Sequence, residues 1–416
     1  MPKIKNIYAR EILDSRGNPT VEATVELSNG VVSASSAPSG SSKGTYEATE
    51  LRDHDQKRYG GMGVLSAIEN VNKISAHILG MDAFEQQKID SAMIELDGTQ
   101  NKQSLGANAI LAVSQAVVKA AAKSSVLPTF LYLGQFIKGN LVKKIPTPLF
   151  NLIEGGAHGG RTLNFQEFLL IPASSKSYQE ALLLGTNVYQ TLKGILFEKG
   201  ENILVAEEGG FSPSLQSNQA GLLLLKESIE KSGNSFSLDA FLGLDVAANS
   251  FLDEKTYKLI DRAASYNSND LAEFYQNLLT EFALIYIEDP FAESDWEGWK
   301  NLYSSIGNKI LIVGDDLVTT NPYRLQMALD NQAVGGIIVK PNQIGTITEA
   351  IAVAEIARYK GLKIIVSHRS GETADDFIAD FAVGISADYV KLGAPARERT
   401  SKYNRLLAIE EELKKI

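Results

Sequence analysis

From Ile4 to Ser35 apolar and polar side chains alternate, with Val21, Ala23, Val25 and Leu27 on one face and Glu22, Thr24 and Glu26 on the other. A period of two predicts strands that press one face against a core. Two turns divide this stretch: Asp14-Ser15-Arg16-Gly17-Asn18-Pro19, and Asn29-Gly30, the latter a pair that tolerates the positive φ of a two-residue hairpin. The pattern therefore predicts a three-stranded meander. From about Met62 to Tyr132 the apolar residues recur at helical spacing, with breaks at Asp97-Gly98-Thr99 and at Gly106, which predicts several helices. A joint is expected between Gly134 and Lys144. It divides the chain into an N-terminal α+β domain over residues 1–136 and a second domain over 137–416.

Beyond the joint, short apolar runs alternate with amphipathic helical stretches, the rhythm of a parallel α/β architecture. The runs are 148–153, 168–171, 203–205, 241–244, 284–287, 310–313, 336–339, 363–366 and 388–390. Nine runs are one too many for an eight-stranded β/α barrel, and periodicity does not say which is the extra one.

Composition narrows the function classes. Of 416 residues, 44% are hydrophobic and 22% charged, ample for two cores. The absence of cysteine excludes disulfides, thiolate nucleophiles and thiolate metal sites. A net charge of -10 speaks against nucleic acid as a partner. The segment Met1 to Arg10 is charged, and the apolar stretch Ala109 to Ala122 is interrupted by Ser114, Gln115 and Lys119. Neither a leader nor a membrane span is expected.

The chemistry lies at the ends of the runs. Asp245, Glu288, Asp315, Lys340, His368 with Arg369, and Lys391 each follow an apolar run, spaced 23 to 43 residues apart. One charged residue at a strand end is most often a solvated cap. Successive units that all carry one are different, because the C-terminal strand ends of a barrel converge on one mouth. Three carboxylates brought together there ask for a hard divalent cation, and magnesium suits oxygen ligands. The basic groups suit an anionic substrate, with the planar fork of Arg369 fitted to phosphate oxygens. A lysine near a metal and other cations is a candidate base, which leaves Lys340 and Lys391 both open.

Over nearly its whole length the chain resembles the enolase family. The resemblance is carried by Asp14 to Glu22, Pro38-Ser39-Gly40, Leu96 to Thr99, Gly106 to Leu111, Gln166-Glu167-Phe168, Glu208-Gly209-Gly210, Ile287 to Phe291, Gly314 to Leu317, Asn342 to Gly345, Ser367 to Thr373 and Lys391 to Pro395. It implies an enolase-type β/α barrel, ββαα followed by six βα units, and hence that Ile203 to Glu208 is a connection between helices. It further implies a cytoplasmic enzyme, a homodimer with octamers among some relatives, that converts 2-phosphoglycerate to phosphoenolpyruvate with two magnesium ions per site. A secondary cell-surface or secreted pool, known among enolases, is not readable from the residues.

Carried over by position, Asp245, Glu288 and Asp315 would bind the first magnesium, and Ser42 would help hold the second. Lys340 would be the base at carbon 2 and Glu208 the acid at the carbon-3 hydroxyl. Arg369 and Ser370 would hold phosphate, with His368 beside them, and Lys391 the carboxylate. His158, Gln166 and Glu167 would complete the pocket. With Lys340 neutral and Glu208 protonated, the formal charges of metals, ligands, substrate, Arg369 and Lys391 cancel.

Three departures stand out. Where the family usually has threonine, asparagine and Gly-Asp, this chain has Lys43, Glu154 and Ala206-Glu207. The opposite charges of Lys43 and Glu154 predict a pair between the two loops. Another carboxylate substrate, or a catalytically silent binding protein, are the rival readings; the Ser42 loop and the retained ionisable set disfavour them.

Overall fold

A computed structural model of the chain describes residues 1–41, 44–139, 145–160, 163–260 and 262–415. The strands β1 (Ile4–Leu13), β2 (Pro19–Leu27) and β3 (Val32–Ser36) form the antiparallel meander in that order. Val21, Ala23, Val25 and Leu27 of β2 are all buried, as the alternation requires. The helices α1 (Leu65–Ile78), α2 (Gln86–Asp97), α3 (Ala107–Ser124) and α4 (Thr129–Gly134) follow. Helix α2 stops at Gly98, which takes the left-handed conformation. Helix α3 is rich in alanine and packs against β2 and β3; small side chains let helix and sheet approach closely.

Next come β4 (Thr147–Glu154), β5 (Glu167–Pro172), α5 (Tyr178–Glu198), α6 (Asn218–Lys231) and β6 (Ala240–Asp245). After a two-stranded excursion, β7 (Leu252–Asp253) and β8 (Thr256–Tyr257), the units run α7 (Ser268–Phe282), β9 (Leu284–Glu288), α8 (Trp296–Ile306), β10 (Leu311–Gly314) and α9 (Pro322–Asp330). The chain closes with β11 (Gly336–Val339), α10 (Pro341–Ile344), α11 (Ile347–Tyr359), β12 (Lys363–Ser367), α12 (Phe377–Gly384), β13 (Tyr389–Lys391) and α13 (Thr400–Leu413). Among the described residues no helix is long and apolar enough to cross a membrane.

The strands β4, β5, β6, β9, β10, β11, β12 and β13 form a closed barrel in that order, with β13 returning to β4. Strand β5 is antiparallel to both neighbours, whereas β6 to β13 of the barrel run parallel. This is the ββαα opening followed by βα units. The extra run, 203–205, lies between α5 and α6 and makes only isolated bridges, Val205 with Phe211. Inside the barrel Leu149, Leu169, Ile171, Tyr286, Val313, Ile338 and Ile365 fill a core of their own. Alternate strand residues point inward, so the floor of the mouth is packed and dry. The loop after β3 reaches the mouth through paired backbone bonds of Ser39 with Gly371, each 2.8 Å.

Candidate active site

Register explains which side chains meet. Asp245 ends β6 and lies opposite Glu288, the end of β9, in a parallel pair. Asp315 follows β10 directly. Because β5 runs the other way, it brings its first residue to the mouth: Glu167 lies opposite both Asp245 and Glu154. Lys391 ends β13, and Lys340 follows β11. All of these carboxylates are buried.

On this side the carboxylates are held by lysines. Lys391 Nζ lies 2.8 Å from Glu288 Oε1 and 3.1 Å from both Asp245 Oδ2 and Glu167 Oε2. Lys340 Nζ lies 2.5 Å from Asp315 Oδ2. The amides of Gln166 and Gln343 donate to Asp245 and Asp315, at 3.4 and 3.0 Å. Burial is the strongest influence on the Lys340 amine and lowers it, but the carboxylates around it, Asp315 foremost, leave it above its ordinary value. Lys391 is raised well above the lysine range against its burial, by Asp245, Glu167 and Glu288.

Positive charge is still short here. Burial and the neighbouring Asp245 push Glu288 up to about 8, and burial with Asp315 pushes Asp316 up to about 7. One oxygen each of Asp289, Asp315 and Asp316 lies within 4.8 Å of the others. Hard oxygen donors crowded beyond their counter-charge are the donor set that a magnesium-like ion fits. Asp245 and Glu288 end the two strands before Asp315, but the oxygens of these three are not gathered to that distance.

The adjoining wall is built differently, and Glu167 joins the two, with one of its oxygens within 4.8 Å of ligand atoms of Glu208 and His158. Glu208 stands in the turn between α5 and α6, its Oε2 3.2 Å from Asn151 Nδ2, which donates to it, and 3.1 Å from His368 Nε2. His158 Nδ1 is 3.5 Å from Glu208 Oε1. Burial would raise the Glu208 carboxyl, but His368 and His158 lower it further than burial raises it. Burial in turn pushes His368 down to about 4. Glu207 turns elsewhere, 3.9 Å from Arg16 and partly exposed. Arg399, fully buried, donates to the carbonyls of Arg369, Glu207 and Ser370, tying the acid turn to the end of β12.

Arg369 and Ser370 mark a third wall. The Arg369 fork meets the carboxylate of Glu47 at 2.9 and 3.3 Å. Ser370 Oγ accepts from the Ser41 backbone N–H at 2.8 Å. Ser42 and Lys43 lie outside the described residues, so the second metal site and the Lys43 half of the expected pair do too. The Glu154 carboxylate is engaged otherwise, by the backbone N–H groups of Glu208 and Gly210.

A single pocket brings together His158, Gln166, Glu167, Glu208, Asp245, Asp315, Lys340, His368, Arg369, Ser370 and Lys391. Glu288 does not line this pocket and reaches it only through its ion pair with Lys391. His54 and His77, the other two histidines, are exposed. Reading run ends missed Glu47, Asp289, Asp316, Asn151 and Arg399. Asp289 and Asp316 directly follow flagged residues, and Glu154 directly follows the run of β4, so the same rule reaches all three. Glu47 carries no comparable signal.

Two family models match the chain: one described as Enolase, N-terminal domain over residues 4–133, the other as Enolase, C-terminal TIM barrel domain over residues 142–416. With the meander, the closed barrel and the ionisable mouth in place, and with both models together covering nearly the whole sequence, the chain belongs to the enolase family and is an enzyme of its lyase type.

Proposed function

We propose that the protein catalyses the reversible dehydration of 2-phospho-D-glycerate to phosphoenolpyruvate, the enolase step of glycolysis and gluconeogenesis, as a magnesium-dependent cytoplasmic homodimer. One observation supports this reading: Lys340 and Glu208 line the same pocket, as a base and an acid acting on one substrate must.

Lys340 is the base. In the reaction its neutral amine takes the proton from carbon 2, and the electron pair of that C–H bond becomes the second bond between carbons 2 and 3. Asp315 is the neighbour that most favours the ammonium; burial, Arg369 and Lys391 all press toward the amine. A metal cation held by Asp315 would offset its charge and favour the amine. Glu208 supplies the proton with which the carbon-3 hydroxyl leaves as water. His158, Gln166 and Glu167 surround that hydroxyl. Arg369 and Ser370 grip the phosphate, with Arg369 exchanging the Glu47 carboxylate for phosphate oxygens. Lys391 stays charged and holds the substrate carboxylate against the acidic floor.

Asp245, Glu288 and Asp315 would hold the first magnesium ion and Ser42 would contribute to the second. Bound there, the ions would offset the negative charge that builds on the substrate carboxylate as carbon 2 loses its proton. Ultraviolet absorbance of the enol product tests the reading. Wild-type protein should form it from 2-phosphoglycerate, and neither chelator-treated protein nor Lys340→Ala should. No product from the wild type with magnesium present would refute it.

A further inference from the structure

The acid turn is held by a residue to which the reaction above assigns no part. Glu154, the last residue of β4, is fully buried. Both its carboxylate oxygens lie 3.2 Å from the backbone nitrogen of Glu208, and Oε1 lies 2.6 Å from that of Gly210. The turn is shaped for this grip. Gly209 takes φ +92°, and a side chain on Gly210 would come within 3.0 Å of Glu154 Oε1 and of the Asn151 carbonyl.

We infer that Glu154 is a positioning residue for the acid step, clamping the main chain on both sides of Gly209 so that the Glu208 carboxyl meets the leaving hydroxyl; this rests on Glu208 being the acid. The grip is selective. The side-chain contacts of Glu208, with Asn151, His158 and His368, touch its carboxyl and not the main chain from which it springs. Glu154 touches only the backbone, and together with the bond from the Ala394 N–H to the Glu208 carbonyl, 3.0 Å, it fixes the peptide units from which that side chain springs. A shorter asparagine at position 154 has one carbonyl oxygen and one methylene less, so it reaches the two N–H groups less well. Burial and the charge of Glu208 raise Glu154 well above the usual carboxylate range, so a glutamine, neutral and of the same length, is its nearest stand-in. Lys340 lies on the other wall and makes no contact with this clamp.

The test separates the two halves of the reaction. Base action alone exchanges the hydrogen on carbon 2 with solvent deuterium, whereas product formation also needs the acid. Glu154→Ala should lower kcat for product formation by about 100-fold, the cost of a misplaced catalytic group, with KM within about twofold and carbon-2 exchange near the wild-type rate. Glu154→Gln should keep kcat within about threefold. If Glu154→Ala does not fold, Glu154→Asn carries the same test and should show the same split in smaller measure. Wild-type product formation in the folded variant, or equal loss of exchange and product formation, overturns the clamp. Failure of the wild type to exchange or to form product would overturn the dehydratase reading instead.

Discussion

The two walls of the pocket solve the problem of buried carboxylates in opposite ways. On the lysine wall Asp245, Glu288, Glu167 and Asp315 share the ammonium groups of Lys391 and Lys340, full charges facing full charges. On the acid wall Glu208 and Glu154 are surrounded by an asparagine amide, two imidazoles and backbone N–H groups. The first arrangement crowds carboxylates beyond their counter-charge, pushing Glu288 up to about 8, and lets a cation be exchanged for another cation. The second holds Glu154 well above the usual carboxylate range and Glu208 below it. A base and metal ligands belong on the one, and a proton donor on the other.

The largest effect should follow from taking away the divalent cation. Exhaustive chelation is expected to abolish product formation and magnesium to restore it, read by absorbance; activity that survives chelation would dissolve the distinction between the walls. Lys340→Ala should then lower kcat by about 10,000-fold, the upper range for a general base. A fall of less than tenfold would move the base elsewhere, with Lys391 the first place to look.

Stability probes the lysine wall without any turnover. Lys391→Met leaves three carboxylates without their shared partner and should cost about 3 kcal/mol or more in denaturant unfolding. Magnesium should recover part of that loss, because the carboxylates accept another cation. A variant as stable as the wild type would show that Lys391 is not the charge they depend on.

The acid wall should respond to pH instead. His368 falls from 6.5 to about 4 on burial. The folded state thus binds the proton more weakly than the unfolded chain. The resulting stability is present above pH 6.5 and is lost as pH falls toward 4, by about 3 kcal/mol. His368→Gln should flatten that slope relative to the wild type. Identical slopes would assign the acid sensitivity to other groups.

The lysine wall was legible because a barrel maps spacing in sequence onto neighbours in space. Asp245, Glu288, Asp315, Lys340 and Lys391 each end or follow a strand, and parallel register brings them level. The meander was legible for a similar reason, its alternating face of Val21 to Leu27 being wholly buried. The acid wall was not. Ile203 to Val205 has the composition of a strand, yet it lies in a connection held by Phe211 and by Glu154, contacts that no local period encodes. Glu208 emerged only from the family resemblance. Glu47 reaches Arg369 from 322 positions away along the chain, and nothing in its own neighbourhood foretells that.

The division of labour between the walls is tested most directly by following carbon-2 hydrogen exchange in deuterium oxide alongside product formation, in Glu208→Gln and Lys340→Ala. The account predicts that Glu208→Gln exchanges hydrogen while product falls by about 1,000-fold, and that Lys340→Ala does neither. Exchange by Lys340→Ala, or its loss in a folded Glu208→Gln, would contradict it.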